Sequence, residues 1–293
     1  MHEADTSAPR KLLVGLVGAG IQRSLTPALH EEEARHHGLR LHYQLIDLDA
    51  AGQGLAALPT LLAAARIMGF AGLNITYPCK QAVIPLLDGL SDDARAMGAV
   101  NSVVFDGRRA IGHNTDASGW RWAFEHDLPG ADLSRVVLLG AGGAGSAIAH
   151  AALGLGVREL VVVDVDAARA AALCTQLNAV HAGRRAHPGR DAASALVGAS
   201  GLIHATPTGM DKLPGLPLPA ALLHAGLWVS EVVYVPLDTA LVKAARATGC
   251  RVADGGGMAA GQAVDAFALF TGLVPDRARM HAHLRRLLAA RRG

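Results

Sequence analysis

Along most of the chain, short apolar runs closed by Gly, Pro or polar residues alternate with longer Ala- and Leu-rich stretches whose apolar positions repeat at helical spacing. The first kind reads as buried strands and the second as helices packed on them. In the N-terminal part, strands are predicted at 12–18, 41–48, 72–76 and 100–105, and helices at 27–37, 55–68 and 80–87. Pro27 and Pro78 stand at the openings of two of these helices, where proline is tolerated. Ser91 is placed to cap a further helix, and Asp92 and Asp93 favour the positive end of its dipole. Residues 106–134, with clustered Gly, Pro and polar residues, read as a connection. A second series follows, with strands at 136–139, 160–163, 201–205 and 228–232 and helices at 144–155, 167–177, 238–248 and 258–270. Residues 181–191 read as a polar loop and 207–219 as one rich in Pro and Gly. The alternation predicts an α/β fold with parallel sheets covered on both faces. No repeat at a fixed period is present.

The length of 293 residues allows two domains. With 27 Lys and Arg against 25 Asp and Glu, and aromatics at 4%, the chain lacks both the clustered charge and the stacking surfaces of a nucleic-acid binder. At 51% apolar and 18% charged it is far from disorder. Residues 136–157 carry no Lys, Arg, Asp or Glu and are long enough to span a bilayer, but their six glycines suit a strand–turn–helix unit better. Arg10 and Lys11 before an apolar run lack a small-residue cleavage site, so no export signal is expected. Cys79, Cys174 and Cys250 are odd in number and without CxxC spacing, which argues against a disulfide framework or zinc site and suits the cytoplasm. No metal is expected.

The strand–turn–helix unit holds the first chemical signal. Gly140, Gly142 and Gly145 form G-x-G-x-x-G directly after an apolar strand, with Ala141, Gly143 and Ala144 between them. The first glycine permits the tight turn, the second a close approach of a diphosphate, and the third close packing of helix on strand. The diphosphate then rests on the free N–H groups of the helix N-terminus. Asp164 ends the next strand, where a carboxylate accepts from both hydroxyls of an adenine ribose and repels a 2′-phosphate. This favours NAD over NADP. Arg169, one turn into the following helix, is within reach of a phosphate.

The second signal is polar. Ser24 and Thr26 precede Pro27 at a strand-to-helix loop; Asn74, Thr76 and Lys80 straddle another such junction. Asn101 starts a strand, and Asn114 and Asp116 lie beyond it. Ligands of open α/β sheets bind at strand carboxyl ends, so these loops suit one crevice for a small polyhydroxylated acid. Lys80 and Asp116 are the chemical pair: oxidising a secondary alcohol requires removal of the hydroxyl proton as hydride leaves carbon.

At these residues the chain resembles the shikimate dehydrogenase family. Ser24-Leu25-Thr26-Pro27, Gly72-Leu73-Asn74-Ile75-Thr76-Tyr77-Pro78-Cys79-Lys80, Gly98-Ala99-Val100-Asn101, Asn114-Thr115-Asp116 and the glycine motif follow its pattern in order. Ala205-Thr206-Pro207 and Met258-Ala259-Ala260-Gly261-Gln262 continue it, so that the resemblance covers roughly residues 12–290. It implies an N-terminal α/β substrate domain with a mixed, mainly parallel sheet at 1–115, completed by C-terminal helices at 257–293, and a Rossmann-type NAD-binding domain at 116–256. It further implies that Ser24 and Thr26 hold the substrate carboxylate, that Thr76, Asn101 and Gln262 bind its hydroxyls, and that Lys80 and Asp116 form the acid–base pair. Tyr234 matches the family's substrate-side tyrosine. Ala205, Thr206 and Val232 fall on the cofactor side, with Gly255 and Met258 bordering the nicotinamide.

Departures from the family pattern refine the expectation. Asp164-Val165-Asp166 stands where biosynthetic, NADP-linked members usually carry Asn-Arg-Thr, and Thr26 replaces the commoner serine. Both resemble the NAD-dependent quinate/shikimate dehydrogenase branch. The expected activity is oxidation of quinate to 3-dehydroquinate and of shikimate to 3-dehydroshikimate, in quinate catabolism as well as in the shikimate pathway of aromatic amino-acid biosynthesis, by a monomer or homodimer. The alternatives are an NADP-linked biosynthetic shikimate dehydrogenase, a non-catalytic NAD-binding regulator, and a dehydrogenase of a folate derivative. His30, Glu33 and His37 are expected to form a solvated helix face, as is the basic tail at 285–292. His113 lies beside the candidate crevice.

Overall fold

The computed structural model describes residues 9–183 and 185–291. Residues 1–8, Arg184 within the predicted 181–191 loop, and Arg292 and Gly293 of the basic tail lie outside the described residues. The chain divides into two compact units, one of residues 1–95, 100–114 and 263–283, the other of residues 96–99, 115–262 and 284–293.

The first unit runs β1 (Lys11–Gly18), α1 (Thr26–His36), β2 (Arg40–Asp47), α2 (Leu58–Ile67), β3 (Phe70–Ile75), α3 (Cys79–Ala82), β4 (Gly89–Leu90), α4 (Asp92–Met97), β5 (Ser102–Asp106) and β6 (Arg109–His113), with the end of α4 falling in the second unit. The sheet order is β2-β1-β3-β5-β6-β4. β2, β1 and β3 are parallel, as are β4 and β6, whereas β5 is antiparallel to both its neighbours. This is a mixed, mainly parallel sheet, buried on both faces by period-2 alternation. Val14 and Leu16 of β1 pack with Tyr43 and Phe270, whereas Val17 packs with Leu58, Leu62 and Ile75. Ser91 caps α4 as predicted, its Oγ accepting from Ala94 N–H at 3.2 Å.

Three expectations are corrected in this unit. The helix predicted at 80–87 stops after α3, and a 3₁₀ turn at Ile84–Leu86 follows. Pro85 has no N–H to give the preceding turn and its ring crowds that turn. The predicted connection at 106–134 instead contains β6 and a helix. Asp106 pairs with Arg109 across a two-residue hairpin loop, where Gly107 takes a φ of 56°. Finally, His30 and Glu33 do not lie on a solvated face. His30 is buried among Tyr43, Phe267 and Phe270, with ring centroids 5.0, 6.0 and 6.2 Å away. Glu33, also buried, accepts from Asp276 N–H at 2.8 Å and from Arg279 Nη2 and Nε at 2.6 and 2.8 Å, with His37 Nε2 3.1 Å away. Burial alone would raise the Glu33 carboxyl, but these donors hold it below the usual carboxylate range.

The second unit contains α5 (Asp116–Asp127), β7 (Arg135–Leu139), α6 (Gly143–Leu155), β8 (Glu159–Val163), α7 (Ala167–Val180), β9 (Arg185–Pro188), α8 (Ala192–Ala195), β10 (Gly201–His204), β11 (Trp228–Glu231), α9 (Ala240–Ala247) and β12 (Arg251–Ala253). Two helices complete the chain, α10 (Gly255–Thr271) and α11 (Arg277–Ala290), and the division between units falls within each. The sheet is parallel throughout, in the order β12-β11-β10-β7-β8-β9. That is the doubly wound Rossmann arrangement, two βαβ halves that diverge at β7 and β10. Val136 and Leu138 pack with Ile148 and Leu153; Val137 and Leu139 pack with Leu196 and Leu241. β9 corrects the loop predicted at 181–191. Among the described residues it is an edge strand, paired with β8, so Arg185, His187 and Pro188 are tolerated. The uncharged stretch divides into β7 and α6, and no helix of the described residues is long and apolar enough to cross a membrane.

Candidate active site

In the first unit, strand register brings Thr76 and Asn101 to one sheet edge. Val17 of β1 pairs with Ile75 of β3, so Gly18 and Thr76 leave the sheet side by side. A side chain at Gly18 would overlap the Thr76 methyl, which fixes small size there. β5 runs the other way and pairs Ser102 with Asn74, so Asn101 reaches the same edge, and β6 returns to it with His113 and Asn114. The Ser24 hydroxyl donates to Thr26 Oγ1 at 3.0 Å and accepts from Thr26 N–H at 3.2 Å, which holds the two hydroxyls together at the start of α1. Lys80 is half-buried in α3, and its carbonyl accepts from Val100 N–H at 2.9 Å, tying it to the start of the Asn101 segment.

Asn74 is enclosed by protein partners. Its Oδ1 accepts from the Tyr43 hydroxyl at 2.7 Å, and its Nδ2 donates to Ser102 Oγ at 3.0 Å and to the Asn101 carbonyl at 3.3 Å. Ser102 in turn donates to Asn101 Oδ1 at 3.1 Å. The chain of bonds sets the orientation of the Asn101 amide. Burial holds the His113 imidazole below its usual range and pushes the Cys79 thiol up.

In the second unit, buried Asp116 opens α5, next to Thr115, whose hydroxyl donates to the Gln262 carbonyl at 3.0 Å. Gly119 and Gly261 let α5 and α10 meet backbone to backbone: a Cβ on Gly261 would come within 2.7 Å of Gly119 Cα. Asp116 and Gln262 are thereby held on adjoining turns. Tyr234, half-buried, has its phenol pushed up by burial. Met258 is buried in the core with Trp120 and Phe124, whereas Gly255 abuts the carbonyls of Val232 and Val233 so closely that no side chain would fit.

The three glycines of the motif meet three different steric environments. Gly140 takes a φ of 100°, and a Cβ there would meet the Ala205 carbonyl oxygen at 2.7 Å. A Cβ on Gly145 would overlap the Gly140 carbonyl, while at Gly142 it would enter open space. Gly142 has no side chain to cap α6, so the first-turn N–H groups receive no oxygen from the N-cap residue's side chain. This space beside an uncapped helix N-terminus fits a dinucleotide diphosphate. At the end of β8, Asp164 Oδ1 accepts from Asp166 N–H at 2.9 Å and Oδ2 from Ala141 N–H at 2.7 Å, leaving lone pairs for ribose hydroxyls. Arg169 is drawn to the carboxylates, 3.7 Å from Asp164 Oδ1 and 3.5 Å from Asp166 Oδ2. Val165 is fully exposed beside them.

One cluster had no signal in the sequence. At the carboxyl ends of β10 and β11, His204 and Glu231 pair in register and are both buried, with Nδ1 2.8 Å from Oε1. His204 Nε2 lies 2.5 Å from Thr206 Oγ1. Glu231 Oε1 also accepts from the N–H groups of Val232 and Val233 at 2.8 and 3.0 Å, and Oε2 from the Thr239 hydroxyl at 2.9 Å. The partners lie 27 residues apart and belong to no motif.

Residues 16–103 match the model of the shikimate dehydrogenase substrate binding domain. The chain is 57% identical to a shikimate dehydrogenase (NADP(+)) of Streptomyces avermitilis, over 94% of this chain and 95% of that one. It is 48% identical to a quinate/shikimate dehydrogenase (NAD(+)) of Corynebacterium glutamicum, over 92% and 96%. The structure of quinate dehydrogenase from Corynebacterium glutamicum in complex with NAD superposes with a TM-score of 0.86 at 46% identity, over 93% of this chain and 98% of that one.

Proposed function

The chain belongs to the shikimate dehydrogenase family, and we propose that within it the protein is an NAD-dependent dehydrogenase that reversibly oxidises quinate to 3-dehydroquinate and shikimate to 3-dehydroshikimate. The observation that carries the cofactor reading is Asp164: a carboxylate held at the ribose end of the glycine turn by Ala141 N–H, without an arginine at the next position. A 2′-phosphate there meets like charge. The bound nicotinamide supplies the hydride acceptor.

The chain's own residues supply the rest. The amides of Gly142 to Gly145 hold the diphosphate, Ala141 N–H holds Asp164 beside the turn, and Asp164 accepts from the ribose hydroxyls. Ala205, Thr206, Val232, Gly255 and Met258 shape the nicotinamide side, Met258 from within the core. Ser24 and Thr26, whose hydroxyls lie 3.0 Å apart, donate to the substrate carboxylate once Ser24 turns its proton from Thr26 Oγ1 to the substrate. Thr76, Asn101 and Gln262 bind substrate hydroxyls, with Tyr234 on the substrate side, and Asn74 fixes the Asn101 amide. Lys80 takes the hydroxyl proton as the carbinol C–H leaves as hydride and the C–O bond becomes a carbonyl; Asp116 orients the reacting hydroxyl. In reduction Lys80 returns that proton.

A second reading, an NADP-linked shikimate dehydrogenase, is favoured by the 57% identity to the Streptomyces avermitilis enzyme and by Arg169. Arg169 already faces Asp164 and Asp166, which opposes its use for a phosphate. Initial rates with quinate or shikimate, each with NAD⁺ or NADP⁺, separate the two. Turnover of both acids with NAD⁺ is expected; turnover with NADP⁺ alone overturns the cofactor assignment, and none with any pair overturns the enzyme.

A further inference from the structure

We infer that the buried His204–Glu231 pair is a positioning device for the nicotinamide half of the cofactor, acting through the Thr206 hydroxyl and the backbone of Val232 and Val233. The inference rests on the reading that this unit binds a nicotinamide dinucleotide.

The sheet halves carry the assignment. Asp164 ends β8, in the half that takes the adenine ribose, so the β10–β12 half faces the other mononucleotide. The loops leaving β10 and β11 there are joined by one carboxylate. All of the Glu231 contacts are with donors: two backbone N–H groups, the Thr239 hydroxyl and the imidazole. A carboxylate in this setting accepts only, so His204 Nδ1 carries the hydrogen. In the tautomer with hydrogen on Nδ1 alone, Nε2 is an acceptor, and the Thr206 hydroxyl donates inward to it across 2.5 Å. Thr208 N–H takes one Thr206 lone pair at 3.3 Å. The remaining lone pair makes Thr206 Oγ1 an acceptor, the partner a primary carboxamide N–H requires. Thr239, which closes the network, also accepts from Val242 N–H at the start of α9, anchoring the device to a helix rather than to loops alone.

The test is equilibrium binding by calorimetry, with NAD⁺ and ADP-ribose as probes, or NADP⁺ and 2′-phospho-ADP-ribose if the wild type binds those tighter. ADP-ribose lacks the nicotinamide and reports the adenine half alone. Thr206→Val removes the acceptor at nearly constant volume, and His204→Asn and Glu231→Gln remove its supports. Each is expected to weaken the full dinucleotide by about fivefold to tenfold, the worth of one hydrogen bond, while ADP-ribose affinity stays the same. Parallel losses for both probes, or no loss for either, overturn the inference even in a protein that turns over normally. If His204→Asn or Glu231→Gln does not fold, Thr206→Val alone decides. A wild type that binds neither dinucleotide overturns the functional reading, and this inference with it.

Discussion

The backbone N–H of Ala141, in the turn that leads into α6, donates to Asp164 Oδ2 at 2.7 Å. One contact thus joins the turn proposed to receive the diphosphate and the carboxylate proposed to read the ribose. Asp164→Ser with Val165→Arg is therefore expected to lower kcat/KM for NAD⁺ by about tenfold to a hundredfold, the loss of hydrogen bonds to a charged acceptor, and to raise it for NADP⁺. Val165 is fully exposed, so the arginine displaces no packing. Unchanged selectivity in steady-state kinetics would remove the role given to Asp164.

Lys80 is the proposed proton acceptor. Lys80→Ala is expected to cut kcat by a factor of about 10²–10⁴ with little change in dinucleotide affinity. Lys80→Arg keeps the charge but offers no base at working pH, so it should be nearly as slow. Wild-type turnover by either variant would sink the mechanism.

Gly119 sits where a Cβ would come within 2.9 Å of Gln262 Cα. Gly119→Ala must therefore push α10 away, at a cost of about 1–3 kcal/mol. The expected result is a lower Tm together with a higher KM for the acid substrate, because Gln262 moves. A variant with wild-type Tm and KM would show that this helix contact is not as tight as described.

His30 gives the fold an acid-sensitive element. Burial lowers its pKa from 6.5 to about 3, against the opposing pull of Glu33. The unfolded chain binds this proton below 6.5 while the folded chain resists it until about 3, so the contribution is complete above 6.5 and is lost as pH falls toward 3. His30→Leu should remove that slope, narrowing the loss of stability between pH 7 and pH 5 by about 2 kcal/mol in denaturant titrations. Equal slopes in the two proteins would contradict it.

What the sequence disclosed and what it concealed divide by the range of the interactions. The glycine turn, the Ser91 cap and the strand–helix alternation are local, and each lies within a few residues of where its pattern places it. Hidden features depend on partners distant in sequence. His30 and Glu33 look like a polar helix face because their covering residues, Phe267 and Arg279, lie far along the chain. His204 and Glu231 resemble ordinary strand ends until β10 and β11 are set in register. Asn74 reads as a ligand from its place in a motif, yet Tyr43 and Ser102 occupy its amide. The departures at 106–134 and at 80–87 are of another kind: Asp106-Gly107 and Pro85 are local signals that prevail over the surrounding composition.

NAD-dependent oxidation of both acids stands or falls on the ratio of kcat/KM for NAD⁺ to that for NADP⁺, measured on the wild type with quinate and with shikimate. Turnover of both acids, with NAD⁺ favoured by more than about tenfold, is the predicted result. Oxidation of shikimate with NADP⁺ alone, and none of quinate, would contradict it.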